Sequence, residues 1–147
     1  MIRLPSPCLV VLAGPSAAGK STWAGEHFPP EQVVSSDALR ALVGEGERDQ
    51  RAGTDAFDVL ELVLQRRLRR RLTTVVDTLG IEPKRRRRYV ELARRHGMAA
   101  HVVAFDTPAA ECRSRNRARG SPVPDRVLAA QIRDWEAIRY QLATRAS

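Results

Sequence analysis

The sequence predicts a three-layer α/β fold, in which a short parallel sheet lies between two layers of helices. Short apolar segments rich in β-branched residues alternate with helical segments, which is typical of βαβ units joined by right-handed crossovers. The run Cys8–Ala13 is apolar at every position, the pattern of a strand buried on both faces. A glycine-containing turn leads from this run directly into a predicted helix. Because ligands of such sheets bind beyond the carboxyl ends of the strands, functional residues are expected there.

The remaining elements follow from periodicity and from the positions of proline and glycine. The first predicted helix runs from Gly19 to about Phe28, where two prolines stop it. The other predicted strands are Gln32–Ser35, Thr73–Val76 and Ala100–Phe105. The other predicted helices are Leu39–Val43, Thr54–Arg71, Pro83–His96, a segment that begins at Pro108, and Val127–Leu142.

Length and cysteine content give an expectation for domain count and compartment. A chain of 147 residues with 43% hydrophobic residues is expected to form one domain over residues 1–147. The six-residue run Cys8–Ala13 is too short for a signal-peptide core or a membrane span. Two cysteines, Cys8 and Cys112, are typical of a reduced protein, so we expect a cytoplasmic chain without a membrane partner.

The formal net charge of +8 is unevenly distributed. Residues 1–65 carry five basic and nine acidic side chains, a net charge of −4, whereas residues 66–147 carry twenty and eight, a net charge of +12. Long-range electrostatics would draw a phosphate-rich partner to the C-terminal half. The alternative is compositional: 23 arginines against two lysines is a bias that GC-rich genomes produce, and it then says nothing about ligands.

The turn after the first strand carries a phosphate-binding motif. The segment Gly14-Pro15-Ser16-Ala17-Ala18-Gly19-Lys20-Ser21 fits G-x-x-x-x-G-K-[ST] and lies between a buried strand and a helix, as the motif requires. Its small residues let backbone N–H groups wrap phosphates at a helix N-terminus, whose dipole favours anions. We expect Lys20 to contact the β- and γ-phosphates of ATP or another purine triphosphate, Ser21 to hold Mg²⁺, and Thr22 to reach the α-phosphate.

Asp37 follows the second predicted strand, 17 residues after Lys20. Neighbouring strand ends would bring its carboxylate to the γ-phosphate, where it could accept the proton of an attacking hydroxyl. Arg40 would lie on the same helix face and could bind a phosphate or carboxylate of the acceptor. In the alternative interpretation, Asp37 is a helix N-cap and Arg40 a solvated side chain.

Several segments, taken in order, resemble the polynucleotide 5′-hydroxyl kinases, most closely the kinase domain of bacterial RNA end-healing and repair enzymes. They are the phosphate-binding loop, Ser35-Ser36-Asp37-x-x-Arg40, Asp49-Gln50, Ala56-Phe57-Asp58-Val59-Leu60, Val75-Val76-Asp77 and Arg115-Asn116-x-x-Arg119. The resemblance extends from about Leu9 to about Ile132 and implies a P-loop NTPase of the kinase type. It also implies that Asp37 is the general base, that Arg40 binds the 3′-phosphate of the acceptor, and that Arg115 and Arg119 bind donor phosphates.

The chain departs from that family after Asp77. The family tends to continue Ala-Thr-Asn, whereas this chain has Thr78-Leu79-Gly80 beside the expected acceptor site. The phosphatase and ligase domains of the repair enzymes have no counterpart in these 147 residues.

An arginine-bearing lid is predicted over residues 113–124. Arg115 and Arg119 share a helix face, and Gly120-Ser121-Pro122 suits a loop that closes over bound nucleotide and brings cations to the developing charge. The alternative is a solvated helix face.

Three further features have weaker signals. Asp77 is either a magnesium ligand acting through water, beside the acceptor, or a cap for the following loop. The basic block Lys84–Arg88 could follow a nucleic-acid backbone, although such a block is more often the solvated start of a helix. The histidines have no metal-ligand spacing, and Trp23 and Trp135 are interpreted as packing residues.

Together these patterns predict ATP- and Mg²⁺-dependent phosphorylation of the 5′-hydroxyl end of RNA or DNA, with Lys20, Asp37, Arg115 and Arg119 as catalytic residues. A first alternative keeps the chemistry and changes the acceptor to a sugar, nucleoside or antibiotic. A second is an ATP-binding module without catalysis, which would need Lys20 and Ser21 but no base at position 37.

Overall fold

The computed structural model describes residues 4–120 and 122–145. Its centre is a four-stranded parallel sheet with the strand order β2-β3-β1-β4. The strands are β1 (Cys8–Ala13), β2 (Val33–Ser35), β3 (Thr74–Asp77) and β4 (Ala99–Ala104). Every residue of β1 is buried, as its apolar sequence predicts, and it pairs with β3 on one side and β4 on the other. The short parallel sheet predicted from the sequence is therefore confirmed.

In the described part of the chain, six α-helices connect and flank these strands. They are α1 (Lys20–His27), α2 (Ser36–Val43), α3 (Gly53–Arg69), α4 (Pro83–Arg95), α5 (Ala109–Arg117) and α6 (Asp125–Arg145), with short 3₁₀ turns at Pro30–Gln32 and Gln50–Ala52. Among the starts of the helices, the largest difference from the prediction is at α2, which begins three residues before Leu39. The cause is Ser35, whose Oγ accepts a hydrogen bond from the backbone N–H of Ala38 at 3.2 Å and so caps the helix early.

Alternate residues of β1 belong to two different cores, which gives the three layers. Leu9 and Val11 face α3 and α4, while Val10 and Leu12 face α1. The α3 residues in the first core recur every four positions, at Leu60, Leu64 and Leu68, the spacing of one helix face. Burial on both faces explains why β1 is apolar throughout.

The last helix packs against both the phosphate-binding loop and the predicted lid. Leu128 and Ile132 of α6 pack in one cluster with Ala18 of the loop, Cys112 of α5 and Val123. Further along α6, Trp135 is 2% exposed and packs on Ala13 and Leu142, which agrees with its interpretation as a packing residue.

The segment after β3 passes very close to β1. The backbone N–H of Gly14 donates to the carbonyl oxygen of Leu79 at 2.8 Å. Gly80 has a φ of +64°, and a Cβ at this position would lie 2.1 Å from the carbonyl oxygen of Leu12. Glycine is therefore required at position 80 both by its left-handed backbone and by the lack of space.

Both cysteines are buried free thiols, and Cys8 lies within β1 as a small hydrophobic residue. Burial raises the pKa of each thiol above its usual value. Within residues 4–120 and 122–145, no helix combines the length and apolar character needed to cross a membrane.

Candidate functional site

The carboxyl ends of the strands open into a cleft with a volume of about 1540 Å³. Its lining includes most of the site residues predicted from the sequence: 16–22 of the phosphate-binding loop, Asp37, Arg40, Asp77, Arg115 and Arg119. Gly14 and Pro15, at the start of the loop, are buried beneath this lining. Residues from four separate segments of the chain, namely the loop, the start of α2, the end of β3 and the predicted lid, are thus brought to one cleft.

The phosphate-binding loop has the backbone conformation of an anion nest. Ala17 and Gly19 have left-handed φ values of 62° and 97°, and α1 begins directly afterwards at Lys20. Gly19 occupies the N-cap position and has no side chain to cap the helix, so the first N–H groups of α1 are available to an anion. Arg115 Nη1 lies 3.2 Å from where a Cβ of residue 19 would be, so this arginine reaches over the loop.

Two side chains from distant segments brace this loop. Gln131 of α6 accepts a hydrogen bond from the backbone N–H of Ser16 at 2.9 Å, and Thr107 Oγ1 donates to the carbonyl oxygen of Ala18 at 2.7 Å. Neither residue is predicted from the sequence. Neither belongs to a local motif, and Gln131 is 115 positions from its partner, so no pattern along the chain could have identified the contact.

Lys20 is folded back onto the loop that carries it. Its Nζ donates to the carbonyl oxygens of Gly14 and Pro15, at 2.9 and 2.7 Å, and the residue is only 7% exposed. Burial lowers the pKa of this ammonium group from 10.5 to about 8, although the carboxylates of Asp77 and Asp37 oppose the shift. The lysine is therefore a desolvated cation at the base of the cleft, and a phosphate group would stabilise its charge.

Ser21 and Asp77 form a hydrogen-bonded pair beside this lysine. Ser21 Oγ donates to Asp77 Oδ2 at 2.6 Å. Asp77 is 8% exposed; burial raises the pKa of its carboxyl, while the Ser21 hydrogen bond and Lys20 act in the opposite direction. The hydroxyl and carboxylate oxygens are hard donors of the type that Mg²⁺ accepts. Residues 4–120 and 122–145 contain no group of three or more His, Cys, Asp and Glu that could hold a metal ion by themselves.

Asp37 lies in the first turn of α2, where it meets two arginines. Arg40 Nη1 donates to Asp37 Oδ1 at 2.9 Å, and Arg48 Nη1 donates to Asp37 Oδ2 at 3.3 Å. The N-cap of α2 is Ser35, so the alternative interpretation of Asp37 as the cap is wrong. Arg40 is not a solvated side chain either, because only 18% of it is exposed and its Nε is buried without a hydrogen-bond partner among the described residues.

The cleft contains two further functional candidates, Phe57 and Arg85, to which the sequence patterns give no role. The guanidinium carbon of Arg85 lies 3.8 Å from the centre of the Phe57 ring, and that of Arg40 lies 5.8 Å from the same ring. The only sequence signal for Arg85 is the basic block Lys84–Arg88. Such a block is more often the solvated start of a helix, which is the interpretation favoured from the sequence. Arg85 and Arg86 instead line the cleft, whereas Arg87 is exposed outside the lining.

The segment predicted to form the lid comprises the second half of α5 and the loop that follows it. Arg115 reaches over the phosphate-binding loop at Gly19 and pairs with Glu111 at 2.6 Å, while Arg119 lines the same cleft. Asn116, buried between them at 1% exposure, closes the loop with two hydrogen bonds. Its Nδ2 donates to the carbonyl oxygen of Val123 at 2.8 Å, and its Oδ1 accepts from the Val123 N–H at 2.9 Å. Ser121, which formed part of the lid prediction, lies outside the described residues.

Replacing Asn116 with alanine is expected to destabilise the lid segment. The change leaves both backbone groups of Val123 without their partner, at a cost of about 1–3 kcal/mol for each group that stays buried and unpaired. Thermal unfolding of Asn116→Ala should show a clearly lower midpoint than wild type. Ser114→Ala, at an exposed position of the same helix, is the control. Equal midpoints for the two variants would mean that the Asn116 hydrogen bonds do not contribute to stability.

The architecture is that of several solved proteins. A chain of the Pnkp1/Rnl/Hen1 RNA repair complex matches with a TM-score of 0.75 at 19% identity, over 92% of this chain and 46% of that one. A gluconokinase from Sinorhizobium meliloti 1021 matches with a TM-score of 0.61 at 20% identity, over 87% of this chain and 74% of that one. The ATP complex of AvrRxo1-ORF1:-ORF2 matches with a TM-score of 0.71 at 17% identity, over 95% of this chain and 50% of that one.

At such low identities these likenesses show the fold alone, a P-loop kinase fold. The chain spans about half the length of the RNA repair and AvrRxo1 chains. A search of curated protein sequences found no match. A family model described as AAA domain matches residues 9–140, from the second residue of β1 into α6. Since this match covers most of the sequence, the chain belongs to the AAA domain family.

Proposed function

We propose that the protein transfers the γ-phosphoryl group of ATP to the 5′-hydroxyl end of a polynucleotide. The observation that carries the proposal is the ion pair of Asp37 and Arg40, which lies in the same cleft as the phosphate-binding loop. Asp37 Oδ1 and Arg40 Nη1 are 2.9 Å apart. A nucleotide-binding module without catalysis needs the loop but no carboxylate and guanidinium beside it. The match to a chain of an RNA repair complex and the basic C-terminal half support a nucleic acid as the acceptor.

The loop and the lid would hold the donor. The N–H groups of the nest and Lys20 bind the phosphates, and Arg115 and Arg119 approach them from the lid. Ser21 would hold Mg²⁺ directly and Asp77 through water, and phosphate oxygens and further waters would complete the coordination, as is usual for this ion. The metal supplies positive charge that offsets charge on the phosphate oxygens.

Asp37 would act on the acceptor. Its carboxylate takes the proton of the 5′-hydroxyl as that oxygen bonds to the γ-phosphorus, and the bond from this phosphorus to the β–γ bridging oxygen breaks to release ADP. Arg40, which donates a hydrogen bond to the same carboxylate, would contact the phosphate on the 3′ side of the accepting nucleotide. Lys20 and the lid arginines stabilise the negative charge on the transferred group.

A kinase that acts on a small molecule is the second candidate. It is favoured by the likeness to a gluconokinase and by the Thr78-Leu79-Gly80 segment, which lines the cleft and differs from the family pattern. Transfer from labelled ATP to a panel of 5′-hydroxyl RNA and DNA oligonucleotides, nucleosides and sugars separates the two. We expect the oligonucleotides to be the best acceptors. Transfer to sugars or nucleosides alone would overturn the proposal in favour of the second candidate.

The lid arginines are expected to contribute to the rate. Arg115→Ala or Arg119→Ala should lower turnover by at least about tenfold, roughly 1.4 kcal/mol of transition-state stabilisation. Lysine at either position should restore only part of the rate, because it lacks the guanidinium fork. Arg113→Ala, an exposed arginine of the same helix outside the cleft lining, is the matched control for steady-state turnover. Wild-type rates for both alanine variants would mean that Arg115 and Arg119 belong to a solvated helix face and do not contribute to catalysis.

A further inference from the structure

Arg85 extends the cationic surface of the cleft beyond Asp37 and Arg40. It lies in the first turn of α4, and its guanidinium contacts the Phe57 ring that Arg40 also approaches. The guanidinium carbon of Arg85 lies 3.8 Å from the centre of the Phe57 ring and that of Arg40 lies 5.8 Å from it. The two carbons can therefore be no more than about 10 Å apart, the sum of these two distances. The two arginines are therefore neighbours in one part of the cleft.

The stacked position orients Arg85 before any ligand binds. Guanidinium groups stack on aromatic faces, and such contact holds the planar fork in a defined direction. Tyr89, one turn further along α4, also lines the cleft. A pre-oriented fork loses less conformational entropy on binding a phosphate than a freely rotating side chain does.

The existing ion pair of Arg85 does not prevent such binding. Arg85 Nε pairs with Glu82 at 2.8 Å, but the two side chains are 43% and 58% exposed. Exposed ion pairs contribute little to stability, and a guanidinium has five N–H donors, of which this contact uses one. The next arginine has a different role, since Arg86 Nη1 donates to the carbonyl oxygens of Gly80 and Ile81 and so holds their loop.

The charge of the cleft fits an acceptor that carries several phosphates. Eight basic side chains of the described residues line it, against five acidic ones. The basic residues are Lys20, Arg40, Arg48, Arg85, Arg86, Arg115, Arg119 and Arg126, and the acidic ones are Glu26, Asp37, Asp77, Glu82 and Asp134. The phosphate-binding loop with Lys20, together with Arg115 and Arg119 of the lid, suffices to bind the donor phosphates. The other basic side chains of the lining are therefore assigned to the acceptor side.

We propose that Arg85, stacked on Phe57, binds a second phosphate of the acceptor strand, one nucleotide beyond the phosphate at Arg40. The inference rests on the proposed function and makes it more specific. The preferred acceptor is a strand with at least two phosphates, rather than a nucleoside 3′-phosphate. Arg85 is a specificity-determining residue, because it discriminates between acceptors by the number of phosphates they carry.

The test compares kcat/KM for three acceptors: a nucleoside 3′-phosphate, a dinucleotide with a 3′-phosphate, and a longer 5′-hydroxyl oligonucleotide. Wild type should prefer the two acceptors with more phosphates. Arg85→Gln should lower kcat/KM for these by about tenfold or more, the size of a charge-assisted hydrogen bond, and lower it far less for the nucleoside 3′-phosphate. Arg85→Lys should fall between, since it keeps the charge and loses the fork. Arg87→Gln, exposed two residues along the same helix, is the matched control and should behave as wild type.

Salt dependence gives an independent measurement. Each phosphate contact to a single strand contributes about 0.7 to the slope of log affinity against log salt concentration. Oligonucleotide binding to Arg85→Gln should therefore show a slope smaller by about 0.7 than binding to wild type, and Arg87→Gln should show no change.

The outcomes separate this inference from the function on which it rests. If wild type transfers phosphate to none of the three acceptors, the proposed function fails, and the subsite fails with it. If wild type is active but Arg85→Gln lowers all three rates equally, Arg85 only supports Phe57 and Arg40, and the subsite alone is overturned. Wild-type rates and salt slope for Arg85→Gln would also overturn the subsite alone. Thermal unfolding of each variant checks that the fold is intact.

Discussion

Replacing Asp37 with asparagine is expected to lower single-turnover phosphoryl transfer by about 10²–10⁴, the usual contribution of a general base. Asparagine has nearly the same shape and keeps one accepting oxygen, which can serve Arg40, but it loses the second oxygen that accepts from Arg48 and it cannot take the proton of the acceptor hydroxyl. The helix should survive, because its cap is Ser35 and not the substituted residue. Affinity for ATP should stay the same or rise slightly, since a negative charge near the γ-phosphate is removed.

The matched control is Asp55→Asn. Asp55 also lies in the first turn of a helix, but it is exposed and outside the cleft lining. Both variants and wild type are compared by calorimetric ATP binding and by single-turnover transfer. Equal transfer rates for wild type and Asp37→Asn would show that Asp37 is not the base, and they would revive the interpretation of the protein as a nucleotide-binding module.

Replacing Lys20 with methionine should abolish measurable transfer and weaken ATP binding. Methionine fills a similar volume at this buried position but brings no charge to the β- and γ-phosphates. Loss of one preorganised charge-stabilising donor commonly costs 10²–10³ in rate, on the order of 2.7–4 kcal/mol. The fold should remain intact, because the substitution also removes a desolvated cation from the core of the loop. Unchanged ATP affinity in this variant would contradict the assignment of the nucleotide site.

The lowered pKa of Lys20 also predicts how ATP affinity depends on pH. In the free protein this pKa is about 8, and bound phosphates raise it by favouring the charged form. Below pH 8 the lysine is already protonated and contributes a constant attraction. Above pH 8 a proton must be taken up on binding, so affinity should fall by up to about tenfold per pH unit. Calorimetry of a non-hydrolysable ATP analogue from pH 7 to 9.5 measures this, and Lys20→Met should lack the dependence. A flat wild-type profile would contradict it.

The parts of the site that the sequence predicts are those set by local backbone geometry. The phosphate-binding loop and the strand that ends at Asp77 have patterns of a few adjacent residues, and these patterns determine where each strand ends. Parallel pairing of β2 with β3 and of β3 with β1 then brings those ends together, so Asp37, Asp77 and Lys20 share a cleft. The start of α2 was placed too late because the apolar pattern begins at Leu39, whereas the helix is started by the Ser35 cap.

The remaining contacts depend on how distant segments pack. Arg48 reaches Asp37 across a turn with no repeating pattern, and Gln131 reaches Ser16 only because α6 packs on the loop. The cleft-facing role of Arg85 was missed for a related reason. In a block of five basic residues, the position of α4 against α3 decides which one contacts Phe57, and the sequence alone treats all five alike.

The close approach of Gly80 to the backbone of β1 affects how variants of this protein should be interpreted. A side chain at this position would collide with the backbone of β1 next to the phosphate-binding loop. In a screen of all single substitutions for activity, Gly80 would therefore rank with Lys20 among the least tolerant positions, although it has no side chain to contact a substrate. The other two residues of that segment, Thr78 and Leu79, carry side chains and line the cleft, although Thr78 Oγ1 also accepts a hydrogen bond from the Gly80 N–H at 3.1 Å. Directed evolution towards a new acceptor should accordingly vary these two positions and leave Gly80 unchanged.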